Sequence, residues 1–153
     1  NKPPEEVASI LDSCGLDLAQ LSGDEGPEHL DALGERYPGI GRAFKGIRPS
    51  TLAQAQADAG RYARRTKPPS LLVDAHSPGK YGGTGQTGDW SLARALASEY
   101  QLLLAGGLRP ENVAEAIAQV RPWGVDVASG VESSPGRKDA DKMAAFVQAA
   151  RSA

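Results

Sequence analysis

The sequence has a single cysteine, Cys14, among 153 residues. No disulfide can form within the chain, and such sparing use of cysteine fits a reducing compartment. There are two histidines, His29 and His76, and neither has a second His or Cys at metal-ligand spacing, so no metal is expected. No apolar run approaches the length of a membrane-crossing helix, and no signal-peptide pattern opens the chain. Basic excess is missing as well. A formal net charge of -2 argues against nucleic acid and against a membrane surface as partner. The first residue is Asn1, not methionine, which leads us to expect a processed or trimmed product or a fragment. These exclusions leave a cytoplasmic enzyme or binding domain.

What is present is ordinary for a globular protein: 40% hydrophobic and 24% charged residues. Residues 1–153 suit one domain, long enough to bury roughly 68–70% of the unfolded surface. Helices are predicted over 3–14, 28–37, 51–66, 91–98 and 110–120, with a last one starting at Asp139, a good N-cap. The apolar face of the first includes Cys14, expected to pack. The third has Leu52, Ala55, Ala59 and Tyr62 on one face. Strands are predicted over 16–21, 40–47, 71–75, 102–105 and 125–128. The runs Leu71-Leu72-Val73 and Leu102-Leu103-Leu104 are continuously apolar, as in parallel strands covered on both faces. Trp90 and Trp123 are expected to pack where helix meets strand.

Strands alternating with amphipathic helices imply an α/β fold with a parallel sheet and right-handed crossovers. An open doubly wound sheet usually carries a Gly-x-Gly-x-x-Gly turn after its first strand, and none is found. A (β/α) barrel gathers function at the C-terminal ends of its strands. Asp74, Gly106-Gly107 and Ser129-Gly130 all fall at such ends. The preferred reading is therefore a TIM-barrel type fold, here a partial barrel of one helix plus five strand-helix units.

Gly106-Gly107 and Ser129-Gly130 follow consecutive strands. Glycine turns offer bare N–H groups to an anion, and two side by side favour phosphate, although either alone also serves as a tight turn. Asp74 is the best candidate for a general acid, because it ends the strongest strand and a glycine-rich loop follows. A capping or salt-bridging role is the plainer alternative. Asp126 suits either a sugar hydroxyl or a structural hydrogen bond. Gly82-Gly83-Thr84-Gly85 lacks the Gly-Lys-Ser/Thr ending of a nucleotide loop and reads better as a lid that orders on ligand. His76 reads as an exposed loop residue.

Several collinear motifs then converge. Leu72-Val73-Asp74, Gly82-Gly83-Thr84-Gly85, Asp89-Trp90, Leu104-Ala105-Gly106-Gly107-Leu108, Pro110-Glu111-Asn112-Val113, Gly124 to Glu132 and Pro135-Gly136-Arg137-Lys138-Asp139 together resemble phosphoribosylanthranilate isomerase, a tryptophan-biosynthesis family. The resemblance implies a (β/α)₈ barrel performing a cofactor-free Amadori rearrangement. N-(5-phosphoribosyl)anthranilate would become 1-(2-carboxyphenylamino)-1-deoxyribulose 5-phosphate. It implies that Asp74 protonates the ribose ring oxygen, that Gly106, Gly107, Ser129 and Gly130 hold the phosphate, and that Asp126, Gly82 and Gly83 lie at the substrate.

The departures from the family pattern set further expectations. The family opens with a Lys-x-Cys-Gly strand whose cysteine is the base for the C2′ proton. An arginine after its second strand faces the anthranilate carboxylate. Neither motif occurs in this sequence, and Cys14 is not that base. Ser22 stands where the family tends to have histidine. The isolated chain is therefore expected to be inactive and to self-associate, swap elements or pair with a missing N-terminal segment through exposed sheet edges. The alternative is a non-catalytic phosphate-binding partial barrel. Other phosphosugar barrel enzymes are disfavoured by the motifs around the acid.

Overall fold

A computed structural model describes residues 1–36, 43–63, 68–75 and 90–153, apart from the side chains of residues 35 and 36. The sequence alternates as read: α1 (Pro4–Cys14), β1 (Ala19–Leu21), α2 (Pro27–Arg36), β2 (Ala43–Ile47), α3 (Leu52–Tyr62), β3 (Leu71–Asp74), α4 (Ser91–Ala97), β4 (Leu102–Ala105), α5 (Val113–Val120), β5 (Gly124–Val125). A short 3₁₀ turn (Ser129–Val131), a hairpin of β6 (Glu132–Ser134) and β7 (Arg137–Lys138), and α6 (Ala140–Arg151) complete the chain.

The five strands β1 to β5 pair in parallel and in chain order, β1-β2-β3-β4-β5. That order decides between the two architectures. A doubly wound sheet reverses its strand order at a switch point, whereas a barrel adds each strand on the same side. The sheet here never reverses.

Register assigns the side chains to two faces. Ile47, Leu71, Val73, Leu102 and Leu104 point to the helices and pack with Ala55 and Ala59 of α3, Ala93 and Leu96 of α4, Val113, Ala116 and Val120 of α5, and Phe146 of α6. Phe44, Leu72 and Ala105 form a second, smaller cluster, joined by Leu103. Burial on both sides explains why β3 and β4 are continuously apolar. The alanines of α3 to α5 let these helices lie close on the sheet.

Local chemistry sets the helix ends. Pro4 occupies the first turn of α1, and Gly15, at φ 62°, closes it. The Thr51 hydroxyl accepts from Gln54 N at 3.2 Å while Gln54 Oε1 takes Ser50 N at 2.9 Å. Asp139 Oδ1 accepts from Lys142 N at 3.0 Å, the cap read from sequence.

Several expectations are corrected. The buried stripe of α1 runs through Ala8 and Leu11, where the small Ala8 faces the core, so Cys14 at the helix end is exposed rather than packed. Leu52 lies in the first turn of α3, beyond the sheet, and is exposed. Trp123 precedes a β5 of two residues at the sheet edge, with no strand beyond it among the described residues, and is half exposed. Helix α5 starts at Val113, not at Pro110, because Asn112 first forms a turn with Arg109. β5 ends at Val125, so Asp126 follows the strand, although its N–H still donates to Leu104 O at 2.8 Å.

Candidate active site

The C-terminal ends of all five strands open into one cleft of about 1060 Å³. Its walls are Gln20 and Ser22 after β1, Gly46 to Ser50 around the end of β2, Asp74 and Ala75 at β3, Ala105 to Leu108 after β4, and Asp126 to Gly130 after β5. The sequence-predicted residues Asp74, Gly106, Gly107, Asp126, Ser129 and Gly130 are thus brought together. Gly82 and Gly83 lie outside the described residues, as does His76.

Asp74 is the last residue of β3. Parallel pairing opposite Ala105 fixes its backbone, and Ala75 N donates to Ala105 O at 2.8 Å. Alternation puts its side chain on the Leu72 side of the sheet, above the smaller cluster. There its Oδ2 accepts from Arg48 Nε at 2.8 Å. Arg48 follows β2 and was not singled out from sequence. Its partner is set by the pairing of Ile47 with Val73, which leaves no local signature.

The two glycine turns touch each other. Gly106 and Gly107 adopt φ 96° and 66°, a region that favours glycine. A Cβ on Gly130 would stand 1.8 Å from Leu108 O, so a side chain there is blocked by the neighbouring turn. Asn112, almost fully buried, ties the first turn: its Nδ2 donates to Gly107 O at 3.0 Å and its Oδ1 accepts from Arg109 N at 2.8 Å. The hairpin ties the second. Lys138 Nζ donates to Ala128 O and to Glu132 Oε1, both at 2.7 Å, and Lys142 Nζ donates to Glu132 O at 2.8 Å. The Lys138 hydrogen bond, with the Gly136 backbone, holds the Glu132 carboxyl below its ordinary value. Pro135-Gly136, with Gly136 at φ 79°, is the one sequence sign of that hairpin.

At the other end of the cleft, Gln20 Nε2 donates to Ser22 Oγ at 3.0 Å. Beneath it, on the helix side, Lys45 is buried in β2. Its Nζ reaches Glu25 Oε2 at 2.8 Å and Gly23 O at 2.5 Å, and stands 5.6 Å from the Tyr62 ring centre. Burial by itself raises the Glu25 carboxyl. The Lys45 hydrogen bond, backbone N–H donors and the Lys45 charge outweigh it and hold Glu25 below its ordinary value.

Among the described residues no cluster of three His, Cys, Asp or Glu suits a metal, and no helix is long and apolar enough to cross a membrane. Cys14, at the end of α1, does not line the cleft.

Known proteins agree with this geometry. The model of the N-(5′-phosphoribosyl)anthranilate (PRA) isomerase family matches residues 1–149. The N-(5′-phosphoribosyl)anthranilate isomerase of Trichlorobacter lovleyi is 45% identical, over all of this chain and 70% of its own length. The crystal structure of phosphoribosyl anthranilate isomerase from Thermotoga maritima superposes with a TM-score of 0.81 at 36% identity, over all of this chain and 70% of that one. A structure of the same enzyme in complex with reduced 1-(o-carboxyphenylamino)-1-deoxyribulose 5-phosphate gives 0.78 at 32% identity, covering all of this chain and 69% of that one.

Proposed function

The chain belongs to the N-(5′-phosphoribosyl)anthranilate isomerase family, a family of tryptophan biosynthesis, and on that premise we propose that its cleft binds and isomerises N-(5-phosphoribosyl)anthranilate in the cytoplasm. The observation that carries the reading is the meeting of Asp74, Asp126 and both glycine turns in one cleft. The turns after β4 and β5 supply backbone N–H groups to the phosphate, and Ser129 adds a hydroxyl. Asp74, one strand over, gives its proton to the ribose ring oxygen. The C1′–O bond breaks and the aryl nitrogen's lone pair stabilises C1′ as an iminium. Loss of the C2′ proton to a base then gives the enol, which becomes the 2-ketose; one proton is given and one taken. Asp126 orients a sugar hydroxyl.

The test is Asp74→Asn in the full-length protein, followed by consumption of N-(5-phosphoribosyl)anthranilate. Removing a general acid costs about 100-fold or more in kcat. Turnover within a few-fold of the unaltered protein would sink the acid assignment.

With its thiol outside the cleft, the isolated 153-residue chain carries the acid and phosphate side of the site, and we expect it not to turn over substrate. β1 and β5 each have one edge without a strand partner among the described residues. Unpaired edges recruit strands. Sedimentation of these 153 residues alone should show self-association; a monodisperse, cooperatively melting monomer would refute it.

A further inference from the structure

One connection departs from the strand-helix plan. β5 does not lead straight into a helix: residues 126–139 intervene before α6, and they hold the 3₁₀ turn and the β6–β7 hairpin. The hairpin is not what joins α6 to the turn. Asp139, which caps α6, is tied there directly, its N–H donating to Val131 O at 2.9 Å. What the hairpin adds is the placement of Lys138.

The hairpin register sets Lys138 opposite Glu132, and cross-strand partners carry their side chains on one face. Lys138 Nζ donates to Glu132 Oε1 and to Ala128 O, both at 2.7 Å. Ala128, Ser129 and Gly130 line the cleft, whereas Lys138 and Glu132 do not. The ammonium therefore takes the Ala128 carbonyl from outside the cleft.

That carbonyl shares a peptide plane with the N–H of Ser129, and in a trans peptide the two point opposite ways. Drawing the carbonyl outward turns the Ser129 N–H inward. Ser129 opens the 3₁₀ turn, so bonding within the turn does not use that N–H. Charge acts in the same sense. The carbonyl dipole and the Glu132 carboxylate, which follows the turn, would both oppose an anion in the cleft, and one ammonium engages both.

Resting on the phosphate reading of the glycine turns, we infer that Lys138 is a positioning residue for the substrate's phosphate. It acts through the Ala128–Ser129 peptide, aiming the Ser129 N–H at the dianion and offsetting the Glu132 charge behind it. Its target is a phosphate monoester; a compound without phosphate gains nothing from it.

The experiment uses the full-length protein and two inhibitors: reduced 1-(2-carboxyphenylamino)-1-deoxyribulose 5-phosphate and its counterpart with a free 5-hydroxyl. A charge-assisted hydrogen bond is at stake, so Lys138→Met should weaken the phosphorylated inhibitor by about tenfold or more and the other by less than about twofold. Lys138→Gln, neutral but polar, should behave as Lys138→Met does. With the natural substrate KM should rise by a similar factor while kcat stays within about threefold, and Lys138→Arg, which keeps charge and donors, should recover part of the loss. Equal weakening of both inhibitors, or of neither, overturns the inference. So does a fall in kcat with KM unchanged, or an arginine variant as weak as the methionine one. The unaltered protein tests the underlying reading separately. If it binds both inhibitors equally, the phosphate site itself is wrong; if it prefers the phosphorylated one and Lys138→Met keeps that preference, only the Lys138 role falls.

Discussion

The β3–β4–β5 side and the β1–β2 side of the sheet are built by different means. On the first, Leu71, Val73, Leu102 and Leu104 are wholly covered by the helices, and the turns above them are closed by the Asn112 amide and by the hairpin. On the second, the cluster under the sheet is Ala8, Leu21, Leu30 and Leu33, and the middle of β2 buries an ion pair. On the proposed reading the contrast matches the tasks. A phosphate cradle of backbone donors works only if the backbone does not move. At the β1–β2 end it is the side chains of Ser22 and Arg48 that face the cleft, each held by a single side-chain hydrogen bond among the described residues.

The largest effect is expected from breaking the ion pair on the polar side. Lys45→Met leaves the Glu25 carboxylate buried without its cation. Such a loss costs about 3–5 kcal/mol, whereas replacing both partners with apolar residues is often close to neutral. Chemical denaturation should therefore rank Lys45→Met far below the Lys45→Met/Glu25→Leu double variant. If both variants lose the same amount, the pair is not what holds β2 to the Gly23–Glu25 loop.

Next comes the cradle. Asn112→Ala removes one buried acceptor and one buried donor, leaving Arg109 N and Gly107 O unpaired. The cost is about 1–3 kcal/mol, from the desolvated groups left behind. On the proposed reading the same variant loosens the first phosphate turn, so inhibition by inorganic phosphate should weaken several-fold with kcat little changed. Stability lost with phosphate affinity intact would separate the fold role of Asn112 from the cradle.

The two sides also differ in how well the sequence discloses them. Leu71 to Val73 and Leu102 to Leu104 announce buried parallel strands, and the residues that end them, Asp74 and Gly106-Gly107, are found at the cleft. Apolar continuity is a local signal. Arg48 has none, because its meeting with Asp74 depends on the register of two strands 26 residues apart. Lys45 carries no local signal either, because the Glu25 and Gly23 groups that hold it lie more than a strand away in sequence. The β6–β7 hairpin is polar and lacks alternation, so only Pro135-Gly136 marks it. Cys14 and Trp123 mislead for a related reason: apolar character says that a residue can be buried, not that an element lies against it.

The smallest effect, and the sharpest probe of the polar side, is in acid. Glu25 is held below its ordinary value of about 4.5 in the folded protein, with Lys45 opposing the cost of burial. A depressed carboxylate binds fewer protons folded than unfolded, so the stability it adds is present above the unfolded value and is lost as pH falls through the folded one. Glu25→Gln carries no such group. At neutral pH it should melt below the unaltered protein, since Lys45 has lost its counter-charge. As pH drops below about 4.5 the gap between the two should narrow, because only the unaltered protein must protonate Glu25. Melting temperatures between pH 7 and pH 3 read this directly. A gap that is constant or widens in acid would mean that Lys45, not Glu25, governs the pair's response. The polar side would then be held by the Gly23 carbonyl and the Tyr62 ring rather than by the carboxylate.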